Sequence, residues 1–407
     1  MRVLFLTPYL PTPPRFGGQR RLHGLMVEVA RKHEVLSLSF VDPNQDPAHA
    51  AESLRETGAY CRRVVTVPNR LLEVAGAEKR ARQLRSLFGL RSYEYAVNRM
   101  QAMQVALDGI LARERPDVVQ VEFAQMAVYR FGRKGQGPRL CLDEHNIEYD
   151  VLRRTAGADV GLVRRAYNAV DWRKLRAEEH SAWRTFDGCV VTSARDEQLM
   201  ARDAPTVRTA VVPNGVDIDS FIPSDVPPEP DTVLFFGAIN YYPNTDGLLF
   251  FLREGWPALK ARRPGTRLRI VGPKPPPSIA TWPDPSVEVV GYVDDVRKEI
   301  ARAAVIVAPL RIGGGTRLKV LEAMALGKAI VSTTLGAEGI DTTHERDVLI
   351  ADDGEGLAAQ LARVLDDDAL ARRLGSAARK LAVDRYSWRA ATDTLLQFYE
   401  RIGARAA

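Results

Sequence analysis

Short runs of apolar, β-branched residues alternate along the chain with longer segments whose apolar residues recur at helical spacing. In the first half of the chain, six such runs have the pattern of buried strands. They are Arg2–Thr7, His33–Phe40, Arg62–Pro68, Asp117–Phe123, Arg139–Glu144 and Asp187–Ser193. Near-continuous apolar strands joined by helices predict a parallel sheet covered on both faces.

A second series of the same kind follows a proline-rich linker, Ile222–Asp231. It comprises Thr232–Ile239, Arg267–Gly272, Val287–Val293, Ala303–Leu310, Lys328–Thr334 and Asp347–Asp352. We therefore predict an α/β protein with two doubly wound, Rossmann-like domains facing across a cleft, at residues 1–205 and 206–385. A final amphipathic helix in residues 386–407 is expected to cross back to the first domain.

Length and composition are those of a globular protein, with 407 residues, 45% of them hydrophobic and 27% charged. No run approaches the ~20 consecutive apolar residues of a membrane-spanning helix. The apolar run at the N-terminus is too short for a signal peptide, so we expect a cytoplasmic protein. The three cysteines lie far apart without a CxxC pair, which predicts neither a disulfide framework nor a zinc site.

The net charge of +6 is concentrated in one segment. Residues 53–100 hold ten basic and four acidic residues, which equals the whole excess. Within this segment, residues 71–90 alternate apolar and basic positions. Such a helix can lie on an anionic membrane surface, but amphipathic helices more often cover a core, and that interpretation is favoured here. Peripheral contact with the inner membrane face stays as the alternative hypothesis.

The stretch RIGGGTRLKVLEAMALG, Arg311–Gly327, places cations at the start of a helix, where the helix dipole disfavours them. It follows a predicted strand, and ligands of open α/β sheets bind beyond the carboxyl ends of strands. Glycines let the backbone approach a ligand, and a helix N-terminus binds phosphate. We therefore predict an anion site here. Its residues are Gly313, Gly314, Gly315, Arg317 and Lys319, with Arg311 as a further candidate.

The first domain repeats this pattern, because Gly17 and Gly18 open a helix that carries Arg20 and Arg21 in its first turn. Two cationic helix starts pointing into one cleft would suit a diphosphate. A nicotinamide dinucleotide fold is disfavoured, since GxGxxG would need glycine at position 318, which is leucine. No P-loop motif occurs either.

Several segments together resemble the retaining glycosyltransferases of the GT-B fold, the large glycosyltransferase family four. Residues 311–340 resemble its donor-binding segment, and Val211–Phe221 resembles its interdomain segment. Val233–Gly247 is similar to the first strand and helix start of its C-terminal domain, and Gly291–Ala303 to its base-binding region. Gly17 and Gly18 match the family's loop near the donor phosphates.

The resemblance implies a nucleotide-diphosphosugar as donor, with no cofactor. Glu322 matches the family's glutamate that hydrogen-bonds ribose hydroxyls, although a weak helical pair with Lys319 is the alternative. The expected donor-binding residues are Gly17, Gly18, Val293, Gly313, Gly314, Gly315, Thr316 and Glu322. The chain departs from the family at Gly314, where another glutamate would contact the sugar. It also has Asn240 and Asn244 in place of a frequent basic pair.

On the acceptor side, His145 follows a predicted strand and occupies the position of the family's histidine beside the reacting sugar. A structural histidine, which either caps the next helix or is satisfied in the core, is the alternative interpretation. Glu122 ends the preceding strand and could bind either the acceptor or a neighbouring arginine. With Asn146 it completes the expected acceptor-side residues. Asp217 and Asp219 form an Asp-x-Asp pair, but they lie in the interdomain segment, so we predict no metal.

These patterns predict a metal-independent hexosyltransferase in which His145, Arg317 and Lys319 are catalytic. The acceptor would be a hydroxyl group of a glycan or lipid in cell-surface polysaccharide or glycolipid synthesis, and no nucleic acid partner is expected. A nucleotide-sugar epimerase, a glycan phosphorylase and a non-catalytic nucleotide-sugar-binding protein remain as alternatives that could share the fold.

Overall fold

The computed structural model describes residues 1–71, 74, 76–132, 137–155, 162–312 and 316–404. The chain divides into two compact units. The first comprises Met1–Pro213 together with the chain from Ala391 onward, and the second comprises Asn214–Ala390. Among the described residues, no helix is long and apolar enough to cross a bilayer.

The first unit contains a parallel sheet of seven strands in the order β3-β2-β1-β4-β5-β6-β7. The strands are β1 Arg2–Thr7, β2 Glu34–Val41, β3 Arg63–Pro68, β4 Val118–Glu122, β5 Arg139–Glu144, β6 Gly188–Val191 and β7 Thr209–Val211. The helices are α1 Gly17–Ala30, α2 Pro47–Gly58, α3 Gly76–Leu87, α4 Tyr93–Asn98, α5 Gln101–Glu114, α6 Glu148–Thr155, α7 Leu162–Thr185 and α8 Ala194–Asp203, with a 3-10 turn at Ala124–Val128.

The second unit contains a parallel sheet of six strands in the order β10-β9-β8-β11-β12-β13. The strands are β8 Thr232–Phe236, β9 Arg267–Val271, β10 Val287–Gly291, β11 Val305–Ala308, β12 Ile330–Ser332 and β13 Leu349–Ile350. Its helices are α9 Tyr242–Phe250, α10 Trp256–Arg262, α11 Pro277–Ala280, α12 Val296–Arg302, α13 Leu318–Ala325, α14 Gly354–Asp366 and α15 Asp368–Arg385, with a π-helical turn at Phe251–Gly255. The last helix of the chain, α16 Trp388–Arg401, begins in this unit and continues in the first.

The two Rossmann-like sheets confirm the predicted fold class. Successive residues of β8 show why the strands read as continuous apolar runs. Val233 and Phe235 pack into one buried cluster, whereas Leu234 and Phe236 pack into another on the opposite face. Both faces of the sheet are therefore covered, as parallel strands require. The strand β7 was missed, because three residues at a sheet edge are too few to show a period.

Helix α16 carries the apolar stripe that the sequence predicted. From Ala391 onward this helix belongs to the first unit. Phe398 lies against the backbone of Gly188, where a Cβ would come within 2.5 Å of the aromatic ring. The Tyr399 hydroxyl donates to the side-chain oxygen of Gln120, inside the sheet. The C-terminal part of the helix thus supplies buried side chains to the first unit.

Helix α3 differs from the interpretation that the sequence favoured. No residue of α3 is buried. Leu84, which was assigned to a core-facing stripe, is 51% exposed, and Phe88 just beyond the helix is 93% exposed. The favoured interpretation was therefore wrong for this helix, because its outward-facing positions carry apolar side chains.

Candidate functional site

The carboxyl ends of β4 and β5 lie side by side in the first sheet. Glu122 is the last residue of β4, and His145 directly follows β5. The His145 Nε2 atom lies 2.8 Å from Glu122 Oε2, and both side chains are buried. The structure thus joins two of the residues that the sequence assigned to the acceptor side.

Phe123 covers the imidazole of His145, with ring centroids 3.7 Å apart in a stacked arrangement. To reach this position, Phe123 adopts a φ of 68°, in the left-handed region that bulky residues rarely occupy. Strain of this kind persists where the surroundings determine the geometry, and it is often found at functional sites. The imidazole plane is therefore held by both stacking and hydrogen bonding.

Burial controls the protonation of the pair. It raises the pKa of Glu122 to about 7, although Arg21 and Gln120 act in the opposite direction. It lowers the pKa of His145 to about 3, so the imidazole is neutral near pH 7. Glu122 Oε1 also accepts a 2.7 Å hydrogen bond from Gln120, which itself accepts from the Tyr399 hydroxyl. With both oxygens engaged, Glu122 is placed to orient His145.

Arg21 and Asp143 form a buried ion pair beside this dyad. The Arg21 guanidinium donates to both carboxylate oxygens at 2.9–3.1 Å, and the side chains are 1% and 0% exposed. The prediction that Arg21 is a cation of the helix start was wrong, because the side chain turns inward. Glu122, Asp143 and His145 bring potential ligand atoms within 4.8 Å of one another. The positive charge in this cluster comes from the guanidinium.

The glycine pair of the first unit stands at the start of α1, which begins at Gly17. A Cβ at Gly18 would lie 2.0 Å from the hydroxyl oxygen of Tyr9. A side chain at Gly18 would therefore have to displace the Tyr9 hydroxyl. The role of Gly17 and Gly18 toward a donor stays a prediction.

Three glutamates behind His145 were not singled out by the sequence. Asn146 donates to Glu148 at 3.4 Å. Glu179, from the middle of α7, accepts from the first two backbone N–H groups of α6 at 2.9 and 3.0 Å. Glu144 accepts from Trp183 Nε1 at 2.6 Å, and burial raises its pKa to about 8. No local pattern could reveal this cluster, because α7 lies far along the chain from β5.

In the second unit, Lys319 lies in the first turn of α13 and reaches the carboxyl end of β8. Its ammonium donates to Asn244 Oδ1 at 2.6 Å and lies 4.3 Å from the centroid of the Phe235 ring. Gly237 has a φ of 136°, and a Cβ there would lie 3.1 Å from the ammonium. Glycine at this position therefore leaves room for the lysine.

Three further predicted residues surround Lys319. Thr316 and Arg317 precede the helix and Glu322 lies one turn further on, and all three side chains are buried. Burial lowers the pKa of Lys319 to about 7, and the neighbouring Arg317 acts in the same direction, against Glu322. Arg317 lies 3.9 Å from the Glu338 carboxylate. The predicted Gly313, Gly314 and Gly315 lie outside the described residues.

Other candidates of the second unit are placed differently from Lys319. Arg311 donates to both oxygens of Asp246 at 2.9 and 3.1 Å, so this pair already neutralises it. Asn240 is exposed, whereas Asn244 is buried against Lys319. Val293 lies beyond the end of β10 and packs on the apolar cluster beside α13.

The Asp-x-Asp pair has a structural explanation. Asp217 Oδ1 accepts from the backbone N–H groups of Asp219 and Ser220, each at 3.1 Å. Asp217 Oδ2 accepts from the Ser220 hydroxyl at 2.5 Å. Asp217 therefore closes a turn, as aspartate commonly does.

Part of the second unit is similar in sequence to a known protein family. Residues 230–367 match the family described as glycosyl transferases group 1. A phosphatidyl-myo-inositol mannosyltransferase of Mycolicibacterium smegmatis is 32% identical over 221 residues, 51% of this chain and 55% of that protein. Its counterpart in Mycobacterium tuberculosis is 31% identical over 229 residues, 53% of this chain and 59% of that protein. The match thus spans somewhat more than half the length of these curated relatives.

Solved structures share the fold over the whole chain. Sucrose-phosphate synthase from Thermosynechococcus elongatus superposes with a TM-score of 0.72 at 19% identity, covering 100% of both chains. Anabaena Alr3699/HepE in complex with UDP gives a TM-score of 0.64 at 15% identity, covering 98% of this chain and 100% of that one. The chain therefore has the GT-B fold, and its residues 230–367 are similar to the glycosyl transferases group 1.

Proposed function

We propose that the chain is a retaining, metal-independent hexosyltransferase that moves a sugar from a nucleotide-diphosphosugar to a hydroxyl acceptor. The observation that carries this proposal is the position of Lys319. A partly buried lysine of lowered pKa stands at a helix N-terminus beside Arg317 and Glu322. Helix starts of this kind bind phosphate. The similarity to mannosyltransferases and to a UDP-bound structure supports the same donor class.

The donor would be held by the second unit. Arg317, Lys319 and the N–H groups at the start of α13 would stabilise the negative charge that develops on the leaving diphosphate. Glu322, one turn further on, would accept hydrogen bonds from the ribose hydroxyls. Thr316 and Val293 would complete the donor contacts in the described part of this unit.

The reaction breaks the bond between the anomeric carbon and the diphosphate oxygen and forms a bond from that carbon to the acceptor oxygen. In the proposed retaining route, the acceptor approaches on the face of the leaving group. Its hydroxyl proton passes to a phosphate oxygen. The neutral His145, held by Glu122 and Phe123, would bind the sugar and fix its orientation. Asn146 would contact the acceptor.

The setting we propose is bacterial cell-surface glycan or glycolipid synthesis at the inner face of the membrane. Two observations support it. The relatives named above are described as acting on a phosphatidylinositol lipid, and the basic segment 53–100 carries charge that suits an anionic surface.

The donor site is tested by thermal unfolding of the wild type and Glu322→Ala with UDP, GDP, ADP, dTDP and their sugar conjugates. One nucleotide is expected to raise the melting temperature, since a ligand at ~100 times its Kd stabilises by about 2.7 kcal/mol. Glu322→Ala should lose most of that shift. The matched control is Glu288→Ala, which removes an exposed carboxylate from the same unit. If Glu322→Ala keeps the full shift in melting temperature, the ribose assignment is wrong. If no nucleotide raises the melting temperature of the folded wild type, the transferase proposal is wrong.

A separate prediction concerns the dyad in the first unit. Glu122→Gln and His145→Ala are expected to lower kcat about tenfold to a hundredfold, because the sugar loses its oriented partner. The thermal shift with nucleotide should not change in either variant. Since the pKa of Glu122 is near 7, the pH profile of kcat should lose a limb near pH 7 in Glu122→Gln. Wild-type turnover in both variants would show that the pair is structural.

A further inference from the structure

We propose that the end of α3 and the turn after it insert into the surface of an anionic lipid bilayer. This apolar tip is defined as Leu84, Phe88 and Leu90. The inference deepens the proposed function, since it assigns the membrane contact to named side chains and implies an acceptor that is reached at a bilayer. Within the basic segment of 48 residues, 53–100, it assigns the membrane contact to one turn.

The tip contains the two most exposed large apolar side chains in the described part of the chain, Phe88 and Leu90. Leu84 is 51% exposed, Phe88 93% and Leu90 98%. Leu84 and Phe88 are four residues apart, so they lie on the same face of the helical path. That face points away from the unit, because the intervening positions Ser86 and Leu87 are the partly buried ones.

Hydrogen bonds from another helix fix the turn that exposes these side chains. The Lys174 ammonium, from α7, donates to the carbonyl oxygens of Ser86, Leu87 and Gly89 at 2.8, 2.8 and 2.6 Å. The Ser86 and Leu87 carbonyls belong to the last turn of α3, where carbonyl groups lack partners further along the helix, and Gly89 follows the helix. A charged group that collects three of them fixes the turn. The protein therefore positions Phe88 and Leu90 in solvent by specific contacts.

Basic residues surround the tip. Residues 76–91 contain five basic side chains and one acidic side chain, Glu78. Glu78 pairs with Arg82 on the flank of the helix at 2.9 Å. Lys79, Arg80 and Arg85 are exposed and form no ion pair among the described residues. Apolar side chains at the centre with cations around them match the acyl boundary and the phosphate level of an anionic leaflet.

A bilayer fits this surface better than a second protein does. Stable protein interfaces bury about 800 Å² on each partner, and three side chains supply much less than that. Their guanidinium and ammonium neighbours would also have to be desolvated without partners in an apolar protein interface. A lipid surface requires neither a large area nor a fixed geometry, because each side chain partitions independently.

The first experiment is sedimentation of the full chain with phosphatidylcholine vesicles, with or without phosphatidylglycerol. We expect binding to the anionic vesicles. Phe88→Ser/Leu90→Ser should lower the partition coefficient at least about tenfold, because burial of large apolar side chains is lost. Arg80→Gln/Arg85→Gln should lower it about fivefold per charge and remove the preference for phosphatidylglycerol. The matched control is Val105→Ser, which alters a side chain that is 61% exposed elsewhere in the same unit.

The second experiment measures whether the apolar tip enters the bilayer. Cys61, Cys141 and Cys189 are buried, so a thiol introduced by Leu90→Cys can be labelled selectively with an environment-sensitive fluorophore. Its emission should shift to the blue on addition of anionic vesicles. The same label at Val226→Cys, another exposed apolar position, should show no shift.

Three results would overturn the proposal. They are equal vesicle binding by the wild type and Phe88→Ser/Leu90→Ser, no emission shift at position 90, and a change of oligomeric state in the double variant without lipid. The last would mean that a second copy covers the tip. The thermal shift with nucleotide, measured on the same variants, separates this outcome from failure of the proposed function. That shift does not depend on the tip.

Discussion

Replacement of Lys319 by methionine is expected to lower turnover about 10²–10³-fold, the usual loss when one preorganised donor to a developing anion is removed. Methionine keeps most of the side-chain volume beside Phe235 but cannot donate to Asn244 or to a phosphate. The effect should appear in both kcat and nucleotide affinity. Turnover and the thermal shift with nucleotide are the measurements, and wild-type values for both would refute the phosphate assignment.

The pH dependence of nucleotide affinity tests the assignment of Lys319 more specifically. The pKa of Lys319 is about 7 because burial disfavours its charge. As pH rises through 7 the ammonium is lost, so affinity for a nucleoside diphosphate should fall, by up to about tenfold per pH unit. Below pH 7 affinity should level off. In Lys319→Met this slope should disappear, and a slope that persists unchanged would point to another titrating group.

Lys328 provides the matched control. It is also a partly buried lysine, and burial lowers its pKa to about 8. Its ammonium donates to the carbonyl oxygens of Ala301 and Ala303, at the end of α12. Lys328→Met should therefore reduce stability and leave nucleotide affinity unchanged. The two variants separate loss of fold from loss of the anion site.

The second large effect is on stability. Arg21→Met is expected to lower the free energy of unfolding by about 3–5 kcal/mol, because it leaves the Asp143 carboxylate buried without its partner. Urea denaturation measures this change. The double variant Arg21→Met/Asp143→Leu should recover most of the loss, since replacing both members of a buried pair by apolar groups is often neutral.

An exposed ion pair is the control for this measurement. Lys32 and Asp393 are 3.0 Å apart with 60% and 48% of their side chains exposed. Lys32→Met should cost less than about 1 kcal/mol, as surface pairs typically do. A similar small cost for Arg21→Met would mean that Asp143 finds another donor or takes up a proton.

The strands could be predicted because residues such as Val233 to Phe236 pack on both faces of a sheet and leave an unbroken apolar run in the sequence. The site at Lys319 could be predicted because glycines and cations at a helix start contradict a local preference. Its partner Asn244 was noted only as a departure from the family, since nothing local links it to α13. Arg21 was misassigned because an inward and an outward cation look the same in a sequence.

The glutamate cluster behind His145 could not be predicted from the sequence, for a different reason. Glu179 caps α6 from a helix that follows it in the chain, and such a contact depends on tertiary packing. Helix α3 was misjudged for the opposite reason. Its apolar positions have the spacing of a core-facing stripe, and the pattern alone does not tell which face turns toward the protein.

The hydroxyl of Tyr399 connects the last helix to the imidazole, through Gln120 and Glu122. The side chain at position 399 of α16 is therefore linked to the environment of a residue more than 250 positions earlier in the chain. Homologues that shorten or recompose this helix would need a new donor for the Gln120 oxygen.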